Sequence, residues 1–149
     1  MPRRELKHAS QLEAWLAAWG RRLRVPGELT LIGSGALLWH AGQRGIEAPL
    51  PANSMDVDLV TASGEVAELG HEAQIGSEFE TEYGWHVHVM PARALNEMPA
   101  LWRDRAARKS YGNLALVVPA PSDLLVAKLG RGEPRDLAHA NWARRVGLS

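Results

Sequence analysis

Two aspartates separated by one residue, Asp56 and Asp58, are the residues whose spacing most directly predicts chemistry. They lie in Met55–Val60, which alternates apolar and polar residues as a half-buried strand does. Residues two apart in a strand share a face, with Cβ atoms ~7 Å apart. Two ionised carboxylates at that distance repel each other unless a cation lies between them. The pair therefore predicts a site for Mg²⁺ or Mn²⁺, which prefer oxygen ligands.

A Gly-Ser turn precedes this pair along the chain. Gly33-Ser34-Gly35 follows a short apolar strand, Leu29–Ile32, and Ala36–His40 reads as the start of a helix. Backbone N–H groups at a helix start can bind a phosphate. The aspartate pair alone also fits the wet face of an edge strand, and the turn is what favours a metal and phosphate site.

These segments resemble a known superfamily. Leu31–Leu38 followed by Ser54–Val60 resembles the Gly-Ser and Asp-x-Asp signature of the polymerase-β-type nucleotidyltransferases. Pro121–Leu129, followed by Arg135-Asp136-Leu137, is similar to a narrower branch of small bacterial nucleotidyltransferase-like proteins and AbiEii-type abortive-infection toxins. The resemblance covers residues 29 to 140, most of the chain.

The resemblance implies roles for particular residues. Gly33 and Ser34 would contact a nucleoside triphosphate, and Asp56 and Asp58 would hold Mg²⁺. Lys128 would meet the phosphates or the pocket beside the base, and Asp136 would orient Lys128 or act as a base. Taken by itself, Lys128 also fits the pattern of a solvated helix residue. Asp136 also fits a charge placed near a helix N-terminus.

The sequence departs from the family pattern at three places. The spacing from Ser34 to Asp56 is longer than usual, because of a Gly- and Pro-rich loop at Gly42–Asn53. Asn53-Ser54-Met55 stands where relatives often carry a basic residue. The third carboxylate that many relatives carry on a later strand is missing, which argues against a two-metal mechanism.

The strand Trp85–Met90 offers His86 and His88 at that place. Two histidines on one strand face could bind a transition metal together with Asp56 or Asp58. Either could replace a carboxylate as a general base, or both could be histidines on the wet face of a sheet. These interpretations stay open from the sequence.

Two basic clusters could steer RNA or a triphosphate, or could be solvated helical faces. They are Arg21, Arg22 and Arg24, and then Arg103, Arg105, Arg108 and Lys109.

Further elements follow from local patterns. A capping box of Ser10 and Glu13 predicts an N-terminal helix with an apolar face of Leu12, Trp15, Leu16, Trp19 and Leu23. The other predicted elements are a weak strand at Ile75–Phe79, a helix at Leu95–Arg108, a strand at Leu114–Val118, a helix at Asp123–Leu129 capped by Ser122, and a last helix from Pro134 or Arg135 to Arg145.

We therefore expect a mixed α+β fold, nucleotidyltransferase-like, with one mixed sheet and helices packed mainly on one face. One domain over residues 1–149 is expected, with an N-terminal helix in 1–28, the sheet core in 29–118 and C-terminal helices in 119–149. Met55–Val60 and Leu29–Ile32 should be neighbours in the sheet.

Composition narrows the classes of function. The formal net charge is zero, which does not suggest a strongly basic nucleic-acid binder. The absence of cysteine excludes a disulfide framework, a thiolate zinc site and a Cys nucleophile. No apolar run approaches the ~20 residues that span a bilayer, and no signal peptide is seen, so a cytoplasmic protein without membrane contact is expected.

Three functions remain in competition. The first is an enzyme that uses Mg²⁺ and an NTP to transfer a nucleotidyl group to a hydroxyl of tRNA or of a protein, in a toxin-like system with a cognate antitoxin. The second is a catalytically degenerate relative that binds a nucleotide or a partner, which the missing third carboxylate favours. The third is a His/Asp metal protein unrelated to nucleotides.

Overall fold

One mixed sheet forms the centre of the computed structural model, which describes residues 6–51 and 56–148. Its strands are β1 (Gly27–Ile32), β2 (Asp56–Val60), β3 (His86–Val89), β4 (Ala107–Tyr111) and β5 (Leu114–Val118), in the spatial order β3-β2-β1-β5-β4. β1 is antiparallel to β2 and parallel to β5, β2 is parallel to β3, and β4 is antiparallel to β5. The predicted α+β fold and the adjacency of β1 and β2 are confirmed. Met55, predicted to begin the second of these strands, lies outside the described residues with Asn53 and Ser54.

Seven α-helices and one 3₁₀ helix accompany this sheet within the described residues. They are α1 (Ala9–Arg22), α2 (Gly33–Gln43), α3 (Gly64–Glu72), α4 (Glu78–Tyr83), α5 (Trp102–Arg105), α6 (Pro121–Arg131) and α7 (Pro134–Arg145), with a 3₁₀ helix at Ala92–Glu97. Among the described residues, no helix is long and apolar enough to cross a membrane.

The hydrophobic core lies between one face of the sheet and helices α1, α2 and α3. Alternate strand residues supply that face, and they are fully buried: Leu29, Leu31, Val57, Leu59, Leu114 and Leu116. Helix α2 is buried along its length from Ser34 to Ala41, because it also contacts α1 and α6. A helix that is apolar on all sides is expected in such a central place.

Helix α1 has the predicted apolar face, and Leu12, Trp15, Leu16, Trp19 and Leu23 are all buried. The predicted capping box is wrong by two residues. His8 is the cap residue, and the Gln11 side chain accepts a hydrogen bond from the His8 N–H at 2.9 Å. Gly20 is required near the other end, because a Cβ there would collide with the backbone carbonyl of Tyr111.

The predicted strand at Ile75–Phe79 is wrong. Ile75 is 71% exposed, Gly76 has a positive φ, and Ser77 begins helix α4 by accepting a hydrogen bond from the Glu80 N–H at 3.2 Å. A left-handed glycine and a helix cap outweigh a weak apolar alternation, because both act on the backbone directly.

The predicted helix at Leu95–Arg108 is also wrong. The chain instead forms the 3₁₀ helix, the short helix α5 and then strand β4. Met98, which precedes a proline, has the extended backbone that this position favours, and Leu101 has φ +64°. Residues from Ala107 onward find backbone partners in β5, which a helix would not offer them.

Helix α6 begins at Pro121 after Ala120, so Ser122 is inside the helix and does not cap it. Proline suits the first helical position, since its missing N–H would have no partner there. The Arg105 guanidinium donates to both oxygens of the buried Asp123 carboxylate at 2.9 and 3.0 Å, which ties α5 to α6. Helix α7 agrees with the predicted last helix.

Candidate functional site

The second face of the sheet carries the polar strand residues. Ile32 of β1 is paired with Asp58 of β2, and Asp58 is paired with His88 of β3. Paired residues of neighbouring strands share a face, and Asp56 lies two residues before Asp58 on the same face. The carboxylates of β2 and an imidazole of β3 therefore lie side by side, as the alternation in this strand predicts for the two aspartates.

On this face of the sheet, residues from three distant parts of the chain line one small polar cleft. They are Gly33, Ser34, Asp56, Asp58, Lys128, Arg131, Arg135, Asp136 and His139. The structure thus brings together Gly33, Ser34, Asp56, Asp58, Lys128 and Asp136, the residues that sequence reasoning selected. The cleft is lined by three carboxyl groups and three basic side chains, so its formal charges balance.

The start of helix α2 forms one side of the cleft. Helix α2 begins at Gly33 itself, three residues before the predicted start at Ala36. Gly33 has φ +73°, and a Cβ there would lie 3.2 Å from Oδ2 of Asp58. Glycine thus permits both the left-handed backbone and the close approach of the carboxylate to the helix start. Ser34 follows as a buried residue at the same end.

The Asp58 carboxylate is poorly satisfied by the protein. Its Oδ1 is buried and has no hydrogen-bond partner within the described residues, and His88 Nδ1 lies 3.5 Å away. Burial raises the pKa of Asp58, and repulsion from Asp56 raises it further, while His88, Arg131 and Lys128 oppose this shift. The ionised carboxylate therefore lacks a partner that a cation could provide.

Lys128 and Asp136 form a buried ion pair across helices α6 and α7. Nζ of Lys128 lies 3.4 Å from Oδ1 of Asp136, and the two residues are 3% and 2% exposed. Burial lowers the pKa of Lys128, and the Asp136 charge counteracts this shift. The interpretation of Lys128 as a solvated helix residue is therefore wrong, because its side chain packs into the cleft between the two helices.

Three residues of the cleft were not found by sequence reasoning, namely Arg131, Arg135 and His139. Arg131 donates to Oδ1 of Asp136 at 3.0 Å, and Lys128 Nζ lies 3.3 Å from Nδ1 of His139. Helical spacing could have indicated two of them. Arg131 is three residues after Lys128 on α6, and His139 is three residues after Asp136 on α7, so each shares a face with a selected residue.

The two histidines of β3 have different surroundings. His86 Nδ1 lies 2.7 Å from Oε2 of Glu80, so its ring is bound to helix α4 and does not line the cleft. The His88 side chain is 58% exposed and lies beside Asp58. His88 thus lies next to Asp58 on the strand that was expected, from the resemblance, to offer a third carboxylate.

The basic clusters do not line the cleft. The second cluster is no single helical face, because Arg103 and Arg105 lie in α5 whereas Arg108 and Lys109 lie in β4. Its members face acidic residues, and so does Arg22 of the first cluster, which pairs with Glu72 at 3.2 Å. Pairing of this kind weakens a basic patch as a site for phosphates.

The donor set fits a hard divalent cation that also binds phosphate oxygens. Within the described residues, no three His, Cys, Asp or Glu side chains are grouped so that they could hold a metal by themselves. Mg²⁺ commonly uses one or two carboxylates and completes its octahedron with waters and phosphates. Asp56 and Asp58, with the unpartnered Oδ1 of Asp58, could provide those carboxylates.

A less polar annex adjoins the cleft. It shares Gly33, Asp58, Lys128 and Arg131 with the cleft, and its other lining residues are Ile32, Met90, Ala94, Glu97, Leu124 and Ala127. The annex lies between helix α6 and the 3₁₀ helix.

Comparison with known families agrees with this arrangement. Residues 13–143 match the model of a family described as nucleotidyltransferase of unknown function (DUF6036). No curated protein and no solved structure shows significant similarity to the chain. The match covers most of the chain and spans every residue of the cleft. The chain therefore belongs to this nucleotidyltransferase family.

Proposed function

We propose that the protein transfers a nucleotidyl group from a Mg²⁺-bound nucleoside triphosphate to a hydroxyl group of an RNA, such as tRNA, or of a protein. The observation that supports this proposal is the meeting of residues 33–34, 56–58 and 128–139 in one cleft. The acceptor oxygen would form a bond to the α-phosphorus, the bond from that phosphorus to the bridging oxygen would break, and pyrophosphate would leave.

The triphosphate would lie against the start of α2 and the cations of α6 and α7. Backbone N–H groups at a helix start bind phosphate, and Gly33 lets the ligand approach the backbone closely. The same cleft has positively charged N–H donors from Lys128, Arg131 and Arg135. Such donors stabilise the charge that moves to the leaving pyrophosphate.

Asp56 and Asp58 would hold the Mg²⁺ ion. Bound there, the ion would neutralise part of the phosphate charge and would lower the pKa of a hydroxyl group that it coordinates. The protein's contribution is to keep two carboxylates on one strand face, with one oxygen of Asp58 left without a hydrogen bond.

The proton of the acceptor hydroxyl needs a base, and His88 fits this role better than Asp136. Asp136 is 2% exposed and already accepts hydrogen bonds from Lys128 and Arg131. His88 is half-exposed beside Asp58, where an acceptor can reach it. A neutral imidazole has one ring nitrogen that can accept a proton.

A second candidate function is binding without turnover, of a nucleotide or of a partner protein. The observation that favours it is the histidine at the strand position of the third carboxylate, together with the lack of a three-residue metal group among the described residues. Such a protein would use the same cleft and would bind NTP without releasing pyrophosphate.

The resemblance to toxin-like relatives extends the proposal to partners. A toxin-like enzyme would modify tRNA or a cellular protein, and a cognate antitoxin would suppress that activity. Bulk tRNA and total cell protein are therefore the first acceptors to test.

The decisive experiment measures incorporation of label from each of the four NTPs, carried on the α-phosphate, into tRNA or protein. We expect incorporation with the wild type and no incorporation with Asp58→Asn. Asp104→Asn is the matched control, because it removes the same charge from an exposed residue of α5. A γ-phosphate label should not be incorporated, which distinguishes nucleotidyl from phosphoryl transfer.

Each outcome separates the two functions. No incorporation with Mg²⁺ or Mn²⁺, combined with NTP binding that Asp58→Asn abolishes, would support the non-catalytic function. Incorporation that survives Asp58→Asn would contradict the assignment of the site. Loss of incorporation in His88→Ala, with NTP affinity unchanged, would support His88 as the base.

A further inference from the structure

His139 is buried in the cleft at the centre of α7, although the sequence analysis did not select it. The residue is 4% exposed and lines the cleft beside Lys128 and Asp136. Lys128, Asp136 and His139 thus form a compact buried polar group between two helices.

The contact between His139 and Lys128 defines the protonation state of the imidazole. Lys128 Nζ lies 3.3 Å from His139 Nδ1. An ammonium group has three N–H donors and no acceptor, so Nδ1 must accept and cannot carry a proton. The imidazole is therefore neutral, with its proton on Nε2. Burial and the nearby Lys128 charge agree with this, since they lower the pKa of His139 to about 4.

The charge balance around Lys128 depends on that neutral partner. Asp136 is shared, because its Oδ1 accepts from Lys128 at 3.4 Å and from Arg131 at 3.0 Å. One carboxylate thus faces two cations, and a neutral His139 leaves this group with one net positive charge. The other charged groups at the cleft are Arg135, Asp56 and Asp58.

These hydrogen bonds leave one N–H donor of the Lys128 ammonium available to a ligand. Two of the three ammonium donors of Lys128 point at Asp136 and His139, so the third can donate to a phosphate oxygen. A side chain with four rotatable carbons would otherwise spread over many rotamers.

We infer that His139 is a positioning residue, which aims the Lys128 ammonium into the cleft through a neutral hydrogen bond and so preserves the positive charge for a phosphate group. What Lys128 binds rests on the proposed function, whereas how Lys128 is held does not. A carboxylate at position 139 would position the ammonium too, but it would cancel the charge that a phosphate needs.

Three substitutions separate these effects. His139→Asn keeps a neutral acceptor, because Oδ1 can replace Nδ1. His139→Leu keeps a similar bulk and removes the acceptor. His139→Asp keeps an acceptor and adds a negative charge. Circular dichroism and thermal unfolding would establish that each variant folds.

Two measurements are made on each variant of the full chain. The first is the Kd for a non-hydrolysable ATP analogue with Mg²⁺. The second is the pKa of the Lys128 ammonium by NMR with side-chain-labelled lysine, which is practical because the chain has only Lys7, Lys109 and Lys128.

We expect His139→Leu to weaken binding of the analogue about tenfold, and His139→Asn to stay within about threefold of the wild type. His139→Asp should weaken binding at least as much as His139→Leu. The Lys128 pKa should fall in the Leu variant, rise in the Asp variant and change little in the Asn variant.

The NMR measurement keeps the inference distinct from the proposed function. If the wild type binds no nucleotide, the proposed function fails, and the order of Lys128 pKa values still decides how Lys128 is held. An unchanged Lys128 pKa in the Asp variant would overturn the inference. So would an Asn variant whose pKa and Kd equal those of the Leu variant, since the neutral acceptor would then have no role. If the Leu variant does not fold, the inference is still tested by comparing the Lys128 pKa of the Asn and Asp variants with that of the wild type.

Discussion

The two walls of the cleft differ in how far the protein satisfies its own polar groups. The helix wall consists of Lys128, Asp136 and His139, which are 3%, 2% and 4% exposed and contact one another. The strand wall consists of Asp56 and Asp58, and His88 of β3 lies beside Asp58. There the Asp58 side chain is 20% exposed, that of His88 is 58% exposed, and one carboxylate oxygen has no hydrogen-bond partner among the described residues.

This difference predicts how each wall responds to change. The helix wall is preorganised, so its substitutions should appear mainly in the free energy of unfolding. The strand wall holds two carboxylates that repel each other, so its substitutions should appear mainly in the response to a cation. The predictions that follow test this division, from the largest expected effect to the smallest.

Asp136→Ala should destabilise the protein by about 3–5 kcal/mol, because it leaves the buried Lys128 without its carboxylate. Chemical denaturation with urea measures this loss. The double substitution Lys128→Met with Asp136→Leu should recover most of it, since an apolar pair needs no compensating charge. A cost below about 1 kcal/mol for Asp136→Ala would mean that the helix wall does not depend on its ion pair.

Asp56→Asn combined with Asp58→Asn should abolish the stabilisation by Mg²⁺ and NTP. For the wild type, ligand at 100 times its Kd should add about 2.7 kcal/mol to the free energy of unfolding. Thermal unfolding with and without ligand measures the difference, and Asp104→Asn serves as the control. The double variant should melt no lower than the wild type without metal, because it removes the repulsion that raises the pKa of Asp58. A double variant that is still stabilised by the ligand would exclude the strand wall as its site.

His88→Asp should convert the strand wall into a three-carboxylate site. Its register beside Asp58 places the new carboxylate on the same face as the pair, so we expect Mg²⁺ affinity to rise about tenfold. Without metal, the variant should melt lower than the wild type because of added repulsion. Calorimetric titration with Mg²⁺ tests this, with His88→Asn as the uncharged control. Equal affinities for the two variants would show that residue 88 does not face the ion.

Acidification should destabilise the helix wall through His139. Burial holds the pKa of His139 at about 4 in the folded protein, against 6.5 as its ordinary value. Between those pH values the unfolded chain binds more protons, so the free energy of unfolding falls as the pH falls through this window. His139→Asn should reduce the fall in Tm between pH 7 and pH 4.5 by a few degrees. Burial also lowers the pKa of His40, so part of the dependence of Tm on pH remains in both proteins. Identical slopes for the two proteins would contradict a neutral His139.

Local patterns were sufficient for much of the strand wall. Alternation in β2 placed Asp56 and Asp58 on one face, and the Gly-Ser pair indicated the start of α2 behind a buried strand. These features follow from the period of a strand and from the freedom of glycine, which act over a few residues. Local patterns failed where distant pairing decided the structure, as at Ala107–Tyr111, which became a strand because β5 offered partners.

The sequence by itself determined that the two aspartates lie on one face of a strand, and that a helix follows the preceding strand, because periodicity is a property of neighbouring residues. Only the tertiary structure decided that His88 lies beside Asp58, since this requires the parallel register of β2 and β3 across two intervening helices. It also decided that Lys128 is buried, because the turn between α6 and α7 folds Asp136 and His139 back over it. Charge, burial and hydrogen bonding depend on which distant groups meet, and no local period encodes that meeting.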